Sequence, residues 1–224
     1  MCGRFTQAAP GDQIAELFDL RGVPQLAPRY NIAPTQNVAA VRAAGDGGRE
    51  LVMLHWGLIP SWAKERAIGS RMINARSETA AEKPSFRAAL RSRRCLIVAD
   101  GFYEWQKLGQ RKQPFFIALS DGRPFGFAGL WERWAGEGDE PVESCTILTT
   151  GANETIAPIH DRMPVILDPG DHAAWLDPQA TDVARIVPML RQQPAAAVRA
   201  YPVGLLVNNP GNDVPACREP LGRG

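Results

Sequence analysis

Histidine and cysteine are scarce in this sequence, and the few present are scattered. His55, His160 and His172 include no i, i+4 pair of the kind a helical metal site uses. Cys2, Cys95, Cys145 and Cys217 form no C-x-x-C pair. Neither a zinc centre nor a dithiol redox motif is indicated, so no metal and no cofactor is expected and the thiols are expected to be reduced. No apolar run approaches the roughly 20 residues of a membrane span. The opening stretch MCGRFTQAAPGDQIAELF lacks the basic head and apolar run of a signal peptide, which leads us to expect a cytoplasmic protein.

Net charge is also small, +1 over 224 residues, but it hides an uneven distribution. Nine basic residues stand against three acidic ones between Trp62 and Arg94, a net +6. Eleven acidic residues stand against two basic ones between Trp131 and Asp182, a net −9. Such asymmetry fits a face that binds a polyanion and an opposite face that repels it, although ordinary solvated surface looks the same. With 45% hydrophobic residues, the chain is long enough for one substantial core and short for two, so a single domain over 1–224 is expected.

Periodicity supplies the elements. Asp12 can cap a helix whose Ile14, Leu17 and Phe18 share one stripe. Proline-rich, irregular backbone follows, up to strands at 37–42 and 50–56 that read as a hairpin across AGDGG. A helix over 84–94 is predicted to set Arg87, Arg91 and Arg94 on one basic edge. Strand patterns then come in succession, CLIVAD, FYEWQ, PFFIALS, PFGFAGLWERW and SCTILTT, with turn signals such as DGRP and AGEGDEPVE between them. Helices are predicted at 171–176 and about 182–191, and a late strand at 198–207. Short connections imply antiparallel pairing, and the class is α+β: one domain with a mostly antiparallel, curled or barrel-like sheet and peripheral helices.

Cys2 is notable for its position. A small second residue favours removal of Met1, which leaves an amine and a thiol on adjacent carbons. The amine has an ordinary pKa of about 7.7–8.0 and the thiol one of about 8.5, so near neutrality a useful fraction of each is nucleophilic. Such a 1,2-aminothiol takes an aldehyde first as a Schiff base and then as a five-membered thiazolidine, which resists hydrolysis far better. A cysteine here also has an ordinary reading, as a small apolar residue.

MCGRF at the N-terminus, RYNIAPTQ at 29–36, WGLIPSW at 56–62, INARSET at 73–79, ADGFYEW at 99–105 and IHDRMPVIL at 159–167 occur in that order. Together they closely resemble the SOS response-associated peptidase family, the abasic-site-processing proteins, over essentially the whole chain. The resemblance implies that Cys2 is the nucleophile and that Asn74, Glu104 and His160 complete the catalytic site. His160, with an ordinary pKa of about 6.5, would protonate the sugar ring oxygen as the aldehyde is released. Glu104, between Tyr103 and Trp105, would shuttle protons from a wall where aromatic neighbours raise its pKa. Asn74 would hold amine and sugar with a neutral amide. Taken singly, these are equally a packed histidine, a solvent-facing strand glutamate and a turn-forming asparagine.

DNA contacts are implied for Arg4, Arg76 and Arg162, each two residues from a proposed catalytic group and so returning to the same face of an extended segment. They would bind phosphates, Thr149 would add a hydroxyl, and Trp62 and Pro34 would stack bases. The implied activity is covalent capture of abasic sites in single-stranded DNA by a monomer, cytoplasmic and nucleoid-associated when bound. Two other readings share these residues: an N-terminal-nucleophile cysteine peptidase or amidohydrolase that processes itself, and a non-covalent single-strand binder for which Cys2 is dispensable.

Overall fold

The computed structural model describes residues 2–136 and 140–222, and the strands among them fall into two sheets. In chain order they are β1 (Phe5–Gln7), β2 (Arg29–Ile32), β3 (Asn37–Ala43), β4 (Arg49–Trp56), β5 (Asn74–Arg76), β6 (Arg94–Ala99), β7 (Gly101–Leu108), β8 (Arg111–Leu119), β9 (Phe125–Trp134), β10 (Val142–Gly151), β11 (Arg162–Pro164), β12 (Ile166–Leu167) and β13 (Val198–Pro202). Helices α1 (Gly11–Phe18), α2 (Ser77–Ala80), α3 (Arg87–Ser92), α4 (His172–Leu176) and α5 (Val183–Ile186) lie between them. Met1 and, from the acidic segment and its AGEGDEPVE turn, Glu137 and Asp139 lie outside the described residues.

The larger sheet runs β11-β10-β4-β3-β6-β9-β12, and because β9 also pairs with β10 its five central strands close into a ring. Closure removes the exposed edges an open sheet would leave. The smaller sheet runs β13-β8-β7-β1-β2 and is antiparallel throughout. The α+β class and the barrel-like sheet are therefore as expected. The pairing is less uniform than the short connections imply, since β10 runs parallel to both β4 and β5.

Strand β6 shows why the apolar runs become barrel staves. All six of its residues are buried. Cys95, Ile97 and Ala99 enter the core shared with Phe5, Trp56, Phe102 and Phe127, whereas Leu96 and Val98 enter a second core under α1, α3 and α4, with Ile14, Phe18, Leu90 and Trp175. Successive side chains point to opposite faces, and here both faces are covered. None of the helices among the described residues is long and apolar enough to cross a membrane.

Some sequence expectations shift at element ends. Asp12 lies inside the first turn of α1 rather than capping it; Pro10 is the cap position, with no side-chain hydrogen bond. The helix predicted over 84–94 shortens to Arg87–Ser92. Arg94 opens β6 instead and is buried, donating to the carbonyls of Leu90 (2.8 Å), Arg91 (2.6 Å), Trp175 (2.5 Å) and Asp177. Arg94 thus leaves the basic edge because those carbonyls satisfy its guanidinium inside. The 182–191 helix breaks into α5 and a 3-10 turn at Val187–Met189, where Pro188 cannot donate. The 198–207 strand ends at Pro202, and the backbone continues as a 3-10 turn over Leu205–Asn208.

That last turn is tied down by Asn31 of β2. The fully buried Asn31 amide lies within bonding distance of the carbonyls of Val207 (3.2 Å), Asn209 (3.0 Å) and Asn212 (2.7 Å) and accepts from Arg4 at 2.8 Å. Asn31→Ala strands these partners, and we expect a loss of about 1–3 kcal/mol. A lower denaturation midpoint with an unchanged slope is the expected measurement. An unchanged midpoint would show that water replaces the amide without cost.

Candidate functional site

The N-terminal segment is threaded into the molecule rather than left on its surface. β1 lies between β7 and β2, with Phe5 opposite Ile32 on one side and Phe102 on the other, and Tyr103 donates its backbone N–H to the Arg4 carbonyl at 2.9 Å. This holds Cys2 fully buried in the core between the sheets, its Sγ 3.9 Å from the Arg4 carbonyl. Along β7, Phe102 faces this core and Tyr103 the opposite one, so alternation turns Glu104 inward with Phe102. Glu104 is only 2% exposed.

Asn74 arrives on β5, parallel to β10 and opposite Ile147. Its Nδ2 donates to the Cys2 carbonyl at 2.8 Å. Its Oδ1 is buried with no donor in reach among the described residues. His160 precedes β11, and the segment bearing it is held to β7 by Gln106, which donates to the Pro158 carbonyl at 3.0 Å. The His160 Nδ1 accepts the Arg162 backbone N–H at 3.0 Å.

Electrostatics set the protonation states. Burial pushes the Cys2 thiol far above its ordinary range, and the Glu104 charge adds to the effect. The expectation that the free thiol already holds a useful thiolate fraction is thereby corrected: desolvation in the core keeps it protonated. Burial also raises Glu104, to about 7. Burial lowers His160, favouring its neutral form. A carboxyl titrating near neutrality within electrostatic reach of a protonated thiol is an arrangement that can exchange protons.

The SOS response associated peptidase (SRAP) family model matches residues 1–210. The chain belongs to this family. It is 46% identical over 219 residues to the abasic site processing protein YoqW of Bacillus subtilis, covering 96% of this chain and 97% of that one. It is 35% identical over 182 residues to the abasic site processing protein YedK of Escherichia coli, covering 79% of each. A crystal structure of a Bacteroides thetaiotaomicron protein matches with a TM-score of 0.88 at 26% identity, over 98% of this chain and 100% of that one.

In this SRAP chain the residues implied as DNA contacts divide by exposure. Arg76 is exposed at the end of β5, and Pro34 is half-buried beside Thr35, whose φ of 72° marks a tight turn. Trp62 is 58% exposed and borders a groove of about 560 Å³ with Lys64, Ile68 and Arg71. Gly57 sets the course of that loop: its φ of 138° strains any side chain, and a Cβ there would stand 2.7 Å from the Gly69 carbonyl oxygen.

The other three are engaged inside the fold. Arg4 donates to Asn31 and, at 2.8 Å, to the Val207 carbonyl. Thr149 is fully buried, its hydroxyl 3.4 Å from the Ala75 carbonyl, and so does not present that hydroxyl at the surface. Arg162 is bound by Glu78 through both carboxylate oxygens. Sequence reasoning missed Glu78 and Asn31. The only signal was that Glu78 lies within INARSET and Asn31 within RYNIAPTQ, two of the motifs that carry the family resemblance.

Proposed function

We propose that this protein processes abasic sites in single-stranded DNA by capturing the lesion's aldehyde covalently on Cys2, shielding it during the DNA damage response. One observation carries the reading: the Asn74 amide holds the Cys2 carbonyl while Glu104, buried and titrating at about 7, lies within electrostatic reach of the Cys2 thiol. Membership of a family with relatives named for abasic site processing supplies the substrate class.

The steps proceed from the residues. Removal of Met1 frees the Cys2 amine. His160, neutral, donates a hydrogen bond from Nε2–H to the ring oxygen, and water carries the C1 hydroxyl proton to that oxygen as the closed sugar opens to its aldehyde. The amine adds to the carbonyl carbon, with the Asn74 Oδ1 accepting its N–H, and Glu104 returns a proton to the departing hydroxyl so that water leaves and the imine remains. The Cys2 thiol then passes its proton to Glu104 as sulfur adds to the imine carbon, and Glu104 hands that proton to the ring nitrogen, closing the thiazolidine. Arg76 and Trp62, both exposed, are the groups free to bind a phosphate and stack a base.

The test is incubation with an abasic single strand followed by a denaturing gel. A shifted band, in protein whose intact mass lacks Met1, is the expected result. Binding without a band would favour the non-covalent reading. Cleavage of peptide substrates without DNA capture would favour the peptidase.

A further inference from the structure

Glu78 follows β5 in α2, four residues after Asn74, and reaches the segment that carries His160. Its Oε1 accepts from Arg162 Nη1 at 2.6 Å and its Oε2 from Nη2 at 2.8 Å, and the same Nη2 donates to the Thr149 carbonyl at 2.6 Å. A bidentate carboxylate matches the planar guanidinium fork and fixes its orientation. The Arg162 side chain is only 13% exposed, so this pair is less weakened by water than one on the open surface.

The Arg162 backbone, in register opposite Gly151, donates its N–H to His160 Nδ1 at 3.0 Å. An accepting Nδ1 obliges a neutral imidazole to carry its proton on Nε2. Asp161 Oδ1 lies 2.9 Å from that Nδ1, yet one nitrogen cannot accept from Arg162 and donate to Asp161 together. Asp161 is 85% exposed and can swing into water, whereas the Arg162 N–H is held by the strand, so the backbone bond decides the tautomer.

We propose that Glu78 is a positioning residue: by clamping the Arg162 guanidinium it seats the Arg162 backbone against His160 and keeps that histidine as the Nε2–H tautomer, ready to hydrogen-bond the sugar ring oxygen. The catalytic half of this role rests on the abasic-site reading; the tautomer half does not. Arg162 then serves chiefly to orient His160, and its fork is committed to Glu78 rather than offered whole to a phosphate.

The experiment compares wild type, Glu78→Gln and Glu78→Ala. Imidazole 15N spectra of the free protein, with His160 assigned through His160→Gln, report the tautomer, and single-turnover capture of an abasic strand reports the chemistry. Wild type is expected to show Nε2–H, Glu78→Ala a mixture with Nδ1–H, and Glu78→Gln, which keeps one acceptor oxygen, a ratio between them. Capture should slow about tenfold or more in Glu78→Ala, within what general acid–base catalysis supplies, and recover in part in Glu78→Gln. Non-covalent affinity for the strand should not fall. An unchanged tautomer in folded Glu78→Ala overturns the proposal. If that variant does not fold, a wild-type spectrum in Glu78→Gln overturns it equally. A shifted tautomer in a protein that captures nothing leaves the positioning role standing and sinks the abasic-site reading instead.

Discussion

Cys2→Ala protein is expected to form no denaturation-resistant adduct with abasic single-stranded DNA, while still binding the strand. In the proposed reaction Cys2 makes two separable bonds to the lesion, one through nitrogen and one through sulfur. After Met1 removal, an alanine at position 2 still offers an amine, so it can still form a Schiff base, but no sulfur is present to close the ring. An imine hydrolyses under denaturation and a thiazolidine does not. Loss of the gel-shifted band should therefore be complete without reductant and partly reversed when borohydride is added to trap the imine. Cys2 is fully buried, so truncating it also leaves a small void, a cost of about 1 kcal/mol that does not threaten the fold. Strand affinity, measured by fluorescence anisotropy, should be unchanged because Arg76 and Trp62 stay in place. A band of wild-type intensity from Cys2→Ala without reductant would remove Cys2 from the chemistry.

The long strands were legible in the sequence because each is an apolar run whose pattern is local, whereas the four proposed catalytic residues came from the motifs that carry the family resemblance. The hairpin of β3 and β4 and the staves β6 to β10 announce themselves by period, and the barrel follows from having too many strands to leave edges open. β1, β2 and β5 were not legible. They have only three or four residues each, and β2 lies in a proline-rich stretch that reads as irregular until β1 pairs with it. Yet these short strands set the site, since β1 buries Cys2 and β5 presents Asn74. The state of the thiol was also out of reach, because desolvation depends on the sheet that closes over it and no local pattern encodes that. Arg94 and Arg162 show the same limit: charge in a sequence cannot tell a surface arginine from one whose guanidinium is enclosed by carbonyls or by Glu78.

In the proposed reaction burial gives Glu104 its role, and it sets the expected effect of removing that charge. A thiol held far above its ordinary pKa gives up its proton only as sulfur bonds to carbon, and the acceptor must be at hand; Glu104, raised to about 7, is matched to that task. Glu104→Gln keeps the shape and loses the base, so capture should slow by roughly 10²–10⁴-fold while the adduct stays chemically the same. The raised value also fixes the sign of the pH dependence. Below about 7 the wild-type carboxyl is protonated and cannot accept, so the capture rate should climb as pH rises through about 7. In Glu104→Gln that limb disappears, leaving only the titration of the amine at about 7.7–8.0. Stability moves the other way. A carboxyl with a raised folded-state pKa binds its proton more tightly folded than unfolded, so ionisation destabilises the wild type as pH rises from the ordinary glutamate range through about 7. Glu104→Gln is spared that loss, so its melting temperature should exceed the wild type's at pH 8 and approach it near pH 4. Single-turnover capture and thermal melts across this range test both signs on one pair of proteins. Equal capture rates at every pH would leave the Cys2 thiol with some other base, and equal melts at pH 8 would mean that Glu104 ionises in the core without cost.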